Sequence, residues 1–184
     1  KTLGFNLFFQ GLMYAALILL MLSLIIQLIM ILKNSLLISF FILSYFISAI
    51  PFGLIIASLK GINLRAIGSG NIGATNVYRA MGKGYAFIVF LLDALKGWGP
   101  TVLSMILFEN PWLHIATGSL CVIGHSLSCF VQFKGGKGAA TGIGVIVALS
   151  PLIGLIIITT AISLIFLTRY VALTSIVCSI LTPI

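Results

Sequence analysis

Acidic side chains are nearly absent: Asp93 and Glu109 are the only two carboxylates in 184 residues, against ten Lys and Arg, and charged residues make up 7% of the chain. Two-carboxylate glycosidase chemistry would need both in one site, and a cation site built on several protein carboxylates lacks its ligands. An ordinary soluble domain carries about 25% charged residues, so a soluble globular fold is excluded as well. Cysteine is as scarce. Cys121, Cys129 and Cys178 are odd in number, show no C-x-x-C spacing and lie in or beside apolar stretches, so they read as small apolar residues. No Ser-His-Asp triad is credible, because the only aspartate falls inside an apolar run. Nothing in the composition implies a metal or an organic cofactor.

What is abundant is apolar surface, at 61% of residues with a mean hydropathy of +1.29. The pattern predicts an all-α fold, a polytopic bundle of membrane helices, since roughly 20 helical residues span a hydrocarbon core about 30 Å thick. Apolar runs cover Leu12 to Leu32, Leu36 to Leu59, Tyr85 to Phe108 and Trp112 to Phe130. The thirty residues from Ala139 to Thr168 are interrupted at Ser150-Pro151 and divide into a short glycine-rich span to Leu149 and a second from Pro151. Val171 to Pro183 would be a last, short span, making about seven, of which Leu12 to Leu32 is the atypical one. Lys and Arg concentrate between Lys60 and Gly84, around Lys134 and Lys137, and at Arg169, whereas Lys33 and the Glu109-Asn110-Pro111 turn fall on the opposite side if the spans alternate. Short loops rich in Lys and Arg stay cytoplasmic, which puts both polar, glycine-rich loops on that face. Residues 1–34 form an N-terminal apolar extension, either an extra helix or, from Asn6 to Gly11, the remnant of an engineered linker; a cleaved signal peptide does not fit.

Two loops carry the chemistry. The first, Gly68 to Arg79, contains G-x-G-x-x-G, but no strand precedes it, so it is not a dinucleotide fingerprint. Its glycines could bring backbone N–H groups to an anion, with Ser69, Asn71, Thr75 and Asn76 as side-chain donors and Arg79 as a bidentate fork. The second, Gly124 to Thr141, is not a P-loop, because Gly138 follows Lys137 and Val131 stands where the first glycine belongs. Lys134 and Lys137 flanking Gly135-Gly136 ahead of a helix still suit a phosphate. The plain alternatives are a flexible turn for the first loop and membrane orientation by two lysines for the second. Asp93 and Lys96 share one helix face and read as an ion pair or a catalytic pair. His125 could act as acid, base or donor. The His-x4-Asp acyltransferase arrangement is absent, since position 130 is Phe. His114 reads as an interfacial residue.

Taken together, GSGNIGATNVYRAMGK (Gly68 to Lys83) and GHSLSCFVQFKGGKGAAT (Gly124 to Thr141) resemble the bacterial membrane family of acyl-phosphate:glycerol-3-phosphate acyltransferases, over a stretch from about Leu36 to the end of the chain. The resemblance implies an enzyme that moves a fatty acyl group from acyl phosphate to the 1-hydroxyl of glycerol 3-phosphate. Its products are 1-acylglycerol 3-phosphate (lysophosphatidic acid) and phosphate, the first acylation of bacterial phospholipid synthesis. It implies a multi-pass protein of the bacterial cytoplasmic membrane, working on membrane lipid, with no cofactor and no nucleic acid. By the same resemblance Arg79, Lys137 and His125 are the catalytic candidates. Ser69, Gly70, Asn71, Gly73, Thr75, Asn76, Lys134, Gly135 and Gly136 join Arg79 and Lys137 in holding substrate. Ser128 stands where the family usually has Pro. Residues 35–184 correspond to the acyltransferase domain, with the family's final helix and a third motif of His and Asn expected beyond Ile184. Two readings compete: a transporter or channel for an anionic, phosphate-bearing metabolite, and a scaffold binding anionic lipid through the net charge of +8.

Overall fold

Proline and glycine, more than polar residues, decide where the helices stop and how closely they approach. The structure, a computed structural model, describes residues 2–170, 174 and 176–178, and every regular element among them is helical, as the hydropathy pattern predicts. The chain divides into two compact units, residues 1–40 and 41–184.

The first unit is helical throughout its described residues and belongs to helix α1 (Thr2–Ala49). The break expected at Lys33 is not there: Lys33, Asn34 and Ser35 continue the helix. The reason is physical. None of the three lacks an N–H or frees the backbone as glycine does, and at membrane depth a helix keeps every backbone group bonded. From Leu17 to Leu36 large apolar side chains stand exposed, the surface a lipid-facing helix presents.

In the second unit the run expected as one span from Leu36 to Leu59 is interrupted at Ile50-Pro51. Proline has no N–H and disfavours helical backbone in the residue before it, so α1 ends at Ala49 and α2 (Phe52–Leu59) starts afresh. A 3₁₀ turn (Leu64–Ala66) leads to α3 (Ala74–Met81), then α4 (Lys83–Leu107), α5 (Pro111–Ser126), a second 3₁₀ turn (Cys129–Val131), α6 (Ala139–Leu149) and α7 (Pro151–Thr168). Pro111 and Pro151 each open a helix at its first turn, where a missing N–H is harmless, and the Asn110 side chain caps α5 by accepting from the Trp112 amide at 3.0 Å. Four stretches are long and apolar enough to cross a membrane: Leu17–Ala49, Lys83–Leu107, Pro111–Val131 and Pro151–Thr168. Of the seven expected spans, the first two share α1, α6 is shorter, and Val171 to Pro183 lies outside the described residues apart from Thr174 and positions 176–178.

Pro100 sits within α4 and cannot donate to the Lys96 carbonyl four residues back. Ser48, on the last turn of α1, donates its hydroxyl to that carbonyl at 2.9 Å. The end of α1 is anchored again by the residues that follow α5: Tyr45 Oη donates to the Leu127 carbonyl at 2.8 Å, and Ser128 Oγ to the Ala49 carbonyl at 2.6 Å. Hydroxyls thus satisfy carbonyls that Pro100 and the ends of α1 and α5 leave open, which a lipid-embedded fold requires. Elsewhere the helices meet through glycine. Gly97 of α4 lies against the Thr141 backbone of α6, Gly144 of α6 against the Ala94 backbone of α4, and Gly124 of α5 against the Tyr45 carbonyl.

Candidate active site

The 3₁₀ turn, α2, α3 and the start of α4 share a small apolar core of Leu64, Ala57, Val77 and Val89, and the first loop is hung on it. Gly68 and Gly70 adopt positive φ (57° and 66°), a region costly for residues with a Cβ. Beneath the turn lies Asn76, only 1% exposed. Its Oδ1 accepts from the Ser69 amide at 3.1 Å and its Nδ2 donates to the Leu64 carbonyl at 3.0 Å. Asn71 closes the next turn, accepting from the Gly73 amide at 2.9 Å, and the Gly70 amide donates to Ile67 O. Two of the glycine N–H groups of this loop are thus turned inward. Those of Gly70 and Gly73 are used internally, and Asn76 faces the core. The glycines set the shape, Asn71 and Asn76 hold it, and Ser69, Thr75 and Arg79 stand exposed. Replacing Asn76 by Leu strands two backbone groups, so we expect a loss of about 2 kcal/mol or more. Thermal unfolding in detergent together with proteolysis between residues 65 and 75 checks this; an unchanged midpoint would contradict it.

The second loop folds back onto the end of α5. Gly135 and Gly136 donate their amides to the carbonyls of Ser126 and His125 at 3.0 and 3.1 Å, closing two of the orphan C-terminal carbonyls of that helix. The approach is close enough that a Cβ on Gly135 would overlap the His125 and Ser126 backbone, and one on Gly136 would overlap the His125 imidazole. The glycine pair is needed for proximity, again in place of amide donation outward. Gln132 and Phe133 both take left-handed backbone (φ 56° and 59°), and Gly138 (φ 76°) turns the chain into α6, whose first-turn amides have no partner within the helix. Lys134 and Lys137 are exposed beside that terminus.

Arg65 joins the two loops. Its Nη2 donates to the Lys134 carbonyl at 2.7 Å across 69 residues of sequence, so Ser69, Thr75 and Arg79 belong to the same polar end of the bundle as Lys134 and Lys137. Sequence reasoning counts Arg65 only as a loop charge; nothing in its local spacing marks it as the link. His125 is buried, at 4% exposure, with its Nε2 edge packed against Gly136. Asp93 and Lys96 pair as their spacing predicts, with Lys96 Nζ 2.8 Å from Asp93 Oδ1, and His125 Nδ1 faces the same oxygen at 3.6 Å. His114 lies at the other end of α4, its Nε2 2.8 Å from the Phe108 carbonyl. Among the described residues no cluster of three or more His, Cys, Asp and Glu side chains could hold a metal ion.

This arrangement has close counterparts. A family described as glycerol-3-phosphate acyltransferase matches residues 38–184. The chain is 46% identical over 133 residues to a glycerol-3-phosphate acyltransferase of Aquifex aeolicus, covering 72% of this chain and 69% of the relative. It is 43% identical over 136 residues to one of Geobacter sulfurreducens, covering 73% and 70%. The crystal structure of PlsY, an integral membrane glycerol 3-phosphate acyltransferase, in its glycerol 3-phosphate form superposes with a TM-score of 0.76 at 43% identity, covering 79% of this chain and 73% of that one. Its lysophosphatidic acid form gives a TM-score of 0.73 at 42% identity, covering 78% and 72%. With apolar helices of membrane-crossing length and two basic loops bound at one end, this chain is a membrane protein belonging to the glycerol-3-phosphate acyltransferase family.

Proposed function

We propose that the protein transfers a fatty acyl group from acyl phosphate to the 1-hydroxyl of glycerol 3-phosphate, giving 1-acylglycerol 3-phosphate and phosphate, at the cytoplasmic face of a bacterial inner membrane. The observation that carries this reading is the Arg65–Lys134 bond at 2.7 Å, which brings two glycine-shaped, basic loops to one end of an apolar bundle. Two phosphate-bearing substrates, one with a long acyl chain, suit such a site. The loop charges support the orientation: Lys60, Arg65, Arg79, Lys83, Lys134 and Lys137 lie at this end, and Glu109 between α4 and α5 at the other.

Acyl phosphate is an activated anhydride, so what the protein must supply is alignment and charge stabilisation. Arg79 and Lys137, with Ser69, Thr75 and Lys134 nearby, hold the two phosphates, and the open N-terminus of α6 adds partial positive charge. The glycerol 3-phosphate oxygen attacks the acyl carbonyl carbon, the carbon–oxygen bond to phosphate breaks, and the hydroxyl proton passes to a substrate phosphate. His125 lies under Gly136 at the edge of this space and can orient the hydroxyl. In this reading Gly70, Asn71, Gly73, Asn76, Gly135 and Gly136 give the loops their shape rather than touching substrate through side-chain donors.

The test is phosphate release from purified protein given palmitoyl phosphate, with and without glycerol 3-phosphate. Release should require glycerol 3-phosphate, fall roughly 10²-fold or more in Lys137→Ala, and fall also in Arg79→Lys, where the bidentate contact is lost. Release that ignores glycerol 3-phosphate would make the protein a hydrolase. Movement of glycerol 3-phosphate across proteoliposomes without acyl transfer would replace the reading with transport.

A further inference from the structure

Asp93 and Lys96 form a buried cluster with His125, and substrate binding by the two loops uses neither of them directly. Their exposures are 2%, 4% and 4%. Charges at membrane depth cost about 2.5 to 3.5 kcal/mol each on insertion scales, and a buried ion pair is often matched in stability by apolar side chains of the same volume. The pair therefore needs a reason beyond holding α4 in place. Lys96 has one such structural role, since its Nζ donates to the Ile50 carbonyl at 2.8 Å and lies 5.5 Å from the centre of the Phe52 ring, closing the gap that Pro51 opens between α1 and α2. Asp93 is tied to that role only through Lys96. Its Oδ1 makes a close ion pair with Lys96, yet makes no aligned hydrogen bond, and His125 Nδ1, 3.6 Å from that oxygen, has no partner either. A buried acceptor and a buried ring nitrogen thus face one another, short of hydrogen-bonding distance by less than about 1 Å.

We infer that Asp93 is the positioning residue for His125: its carboxylate accepts a hydrogen bond from the imidazole Nδ1–H, and Lys96 supplies the counter-charge that lets a carboxylate stand there. With the proton held at Nδ1, Nε2 is left as an acceptor on the opposite edge of the ring. That edge is packed against Gly136, where a Cβ would overlap Nε2, so any side chain at this position would displace the ring or the loop. From there Nε2 accepts a hydrogen bond from the 2-hydroxyl of glycerol 3-phosphate held between Lys134 and Lys137, which orients the attacking 1-hydroxyl and leaves the single proton of that group free to pass to phosphate. The inference rests on the acyltransferase reading for the role of Nε2, but the Asp93–His125 bond stands or falls by itself.

The chain has two histidines, His114 and His125, so nitrogen-15 histidine NMR of the full chain in detergent, assigned with His114→Gln, reports the His125 tautomer directly. We expect the Nδ1–H form in the wild type and its loss in Asp93→Asn/Lys96→Met, a double change that removes both charges together. An unchanged His125 tautomer in that variant overturns the inference. In turnover, Asp93→Asn should lower kcat roughly 10²-fold while changing the KM of either substrate less than about threefold, and should add almost nothing in a His125→Gln background. Equal losses in both backgrounds would make Asp93 a scaffold residue and sink the proposal. If the wild type releases no phosphate but the tautomer shifts as expected, the acyltransferase reading fails and the positioning pair survives.

Discussion

Gly144→Leu should yield almost no folded protein, and Gly144→Ala a protein destabilised by about 1 to 3 kcal/mol. A Cβ at this position in α6 would overlap the Ala94 carbonyl oxygen, and it would stand 2.8 Å from the Ala94 carbonyl carbon and 3.1 Å from the Trp98 amide. All three are backbone atoms of α4, so no rotamer change relieves the contact. Gly97 makes the reciprocal approach, with Thr141 backbone in its path. Together they set α4 and α6 at the separation that holds the second loop, because Gly138 and Ala139 begin α6 directly after Lys137. Lipid offers no hydrophobic drive between helices, so close backbone approach carries the association. Size-exclusion profiles and thermal midpoints in detergent measure the effect. A Gly144→Leu protein with the wild-type midpoint would show that α4 and α6 do not meet in this way. Leu152, on α7 and 69% exposed, provides the control: Leu152→Ala should leave the midpoint nearly unchanged.

Much of this was legible from residues alone, and what was not has identifiable causes. The all-helical membrane fold follows from composition, and the division of α6 from α7 at Ser150-Pro151 follows from proline chemistry; the structure ends one helix at Leu149 and starts the next at Pro151. The same chemistry predicts a break at Pro51, but the apolar run from Leu36 to Leu59 masks it, since hydropathy does not register a missing N–H. Lys33 misleads in the opposite sense: a charge suggests a loop, whereas a lysine with no glycine or proline beside it leaves the helix intact. At the site, the basic and glycine residues of both loops are readable as an anion-binding set, and so is the shared face of Asp93 and Lys96. Partners contributed from a distance are not. Arg65 reaching Lys134, Ser48 reaching Lys96 and Ser128 reaching Ala49 are contacts between elements far apart in sequence. One of them leaves a trace: Pro100 orphans the Lys96 carbonyl, so a donor from another helix is required, though its identity is not encoded locally. The inward turn of Asn76 is hidden for a related reason, because a polar residue in a polar loop reads as exposed until its apolar neighbours Leu64 and Val77 are seen beneath it.

Gly136→Ala should remove turnover by roughly 10²-fold or more while leaving the helices assembled. The added methyl would overlap Nε2, with Cε1 and Cδ2 at 2.9 and 3.0 Å. The imidazole has little room to retreat: it is 4% exposed and faces Asp93 on its far edge. The loop must therefore lift, breaking the Gly136 amide bond to the His125 carbonyl and, beside it, that of Gly135 to Ser126. Lys137, next in the chain, moves with it, so both substrates should bind more weakly as well as react more slowly. Because the clash is with one side chain, it can be relieved from the other partner. Gly136→Ala combined with His125→Ala opens space for the methyl and should restore the wild-type KM for acyl phosphate, without restoring kcat if Nε2 is the group that orients the hydroxyl. Recovery of both constants would remove His125 from the chemistry and leave it a packing residue under the loop. Recovery of neither would mean that Gly136 is required for its backbone, with the imidazole a bystander.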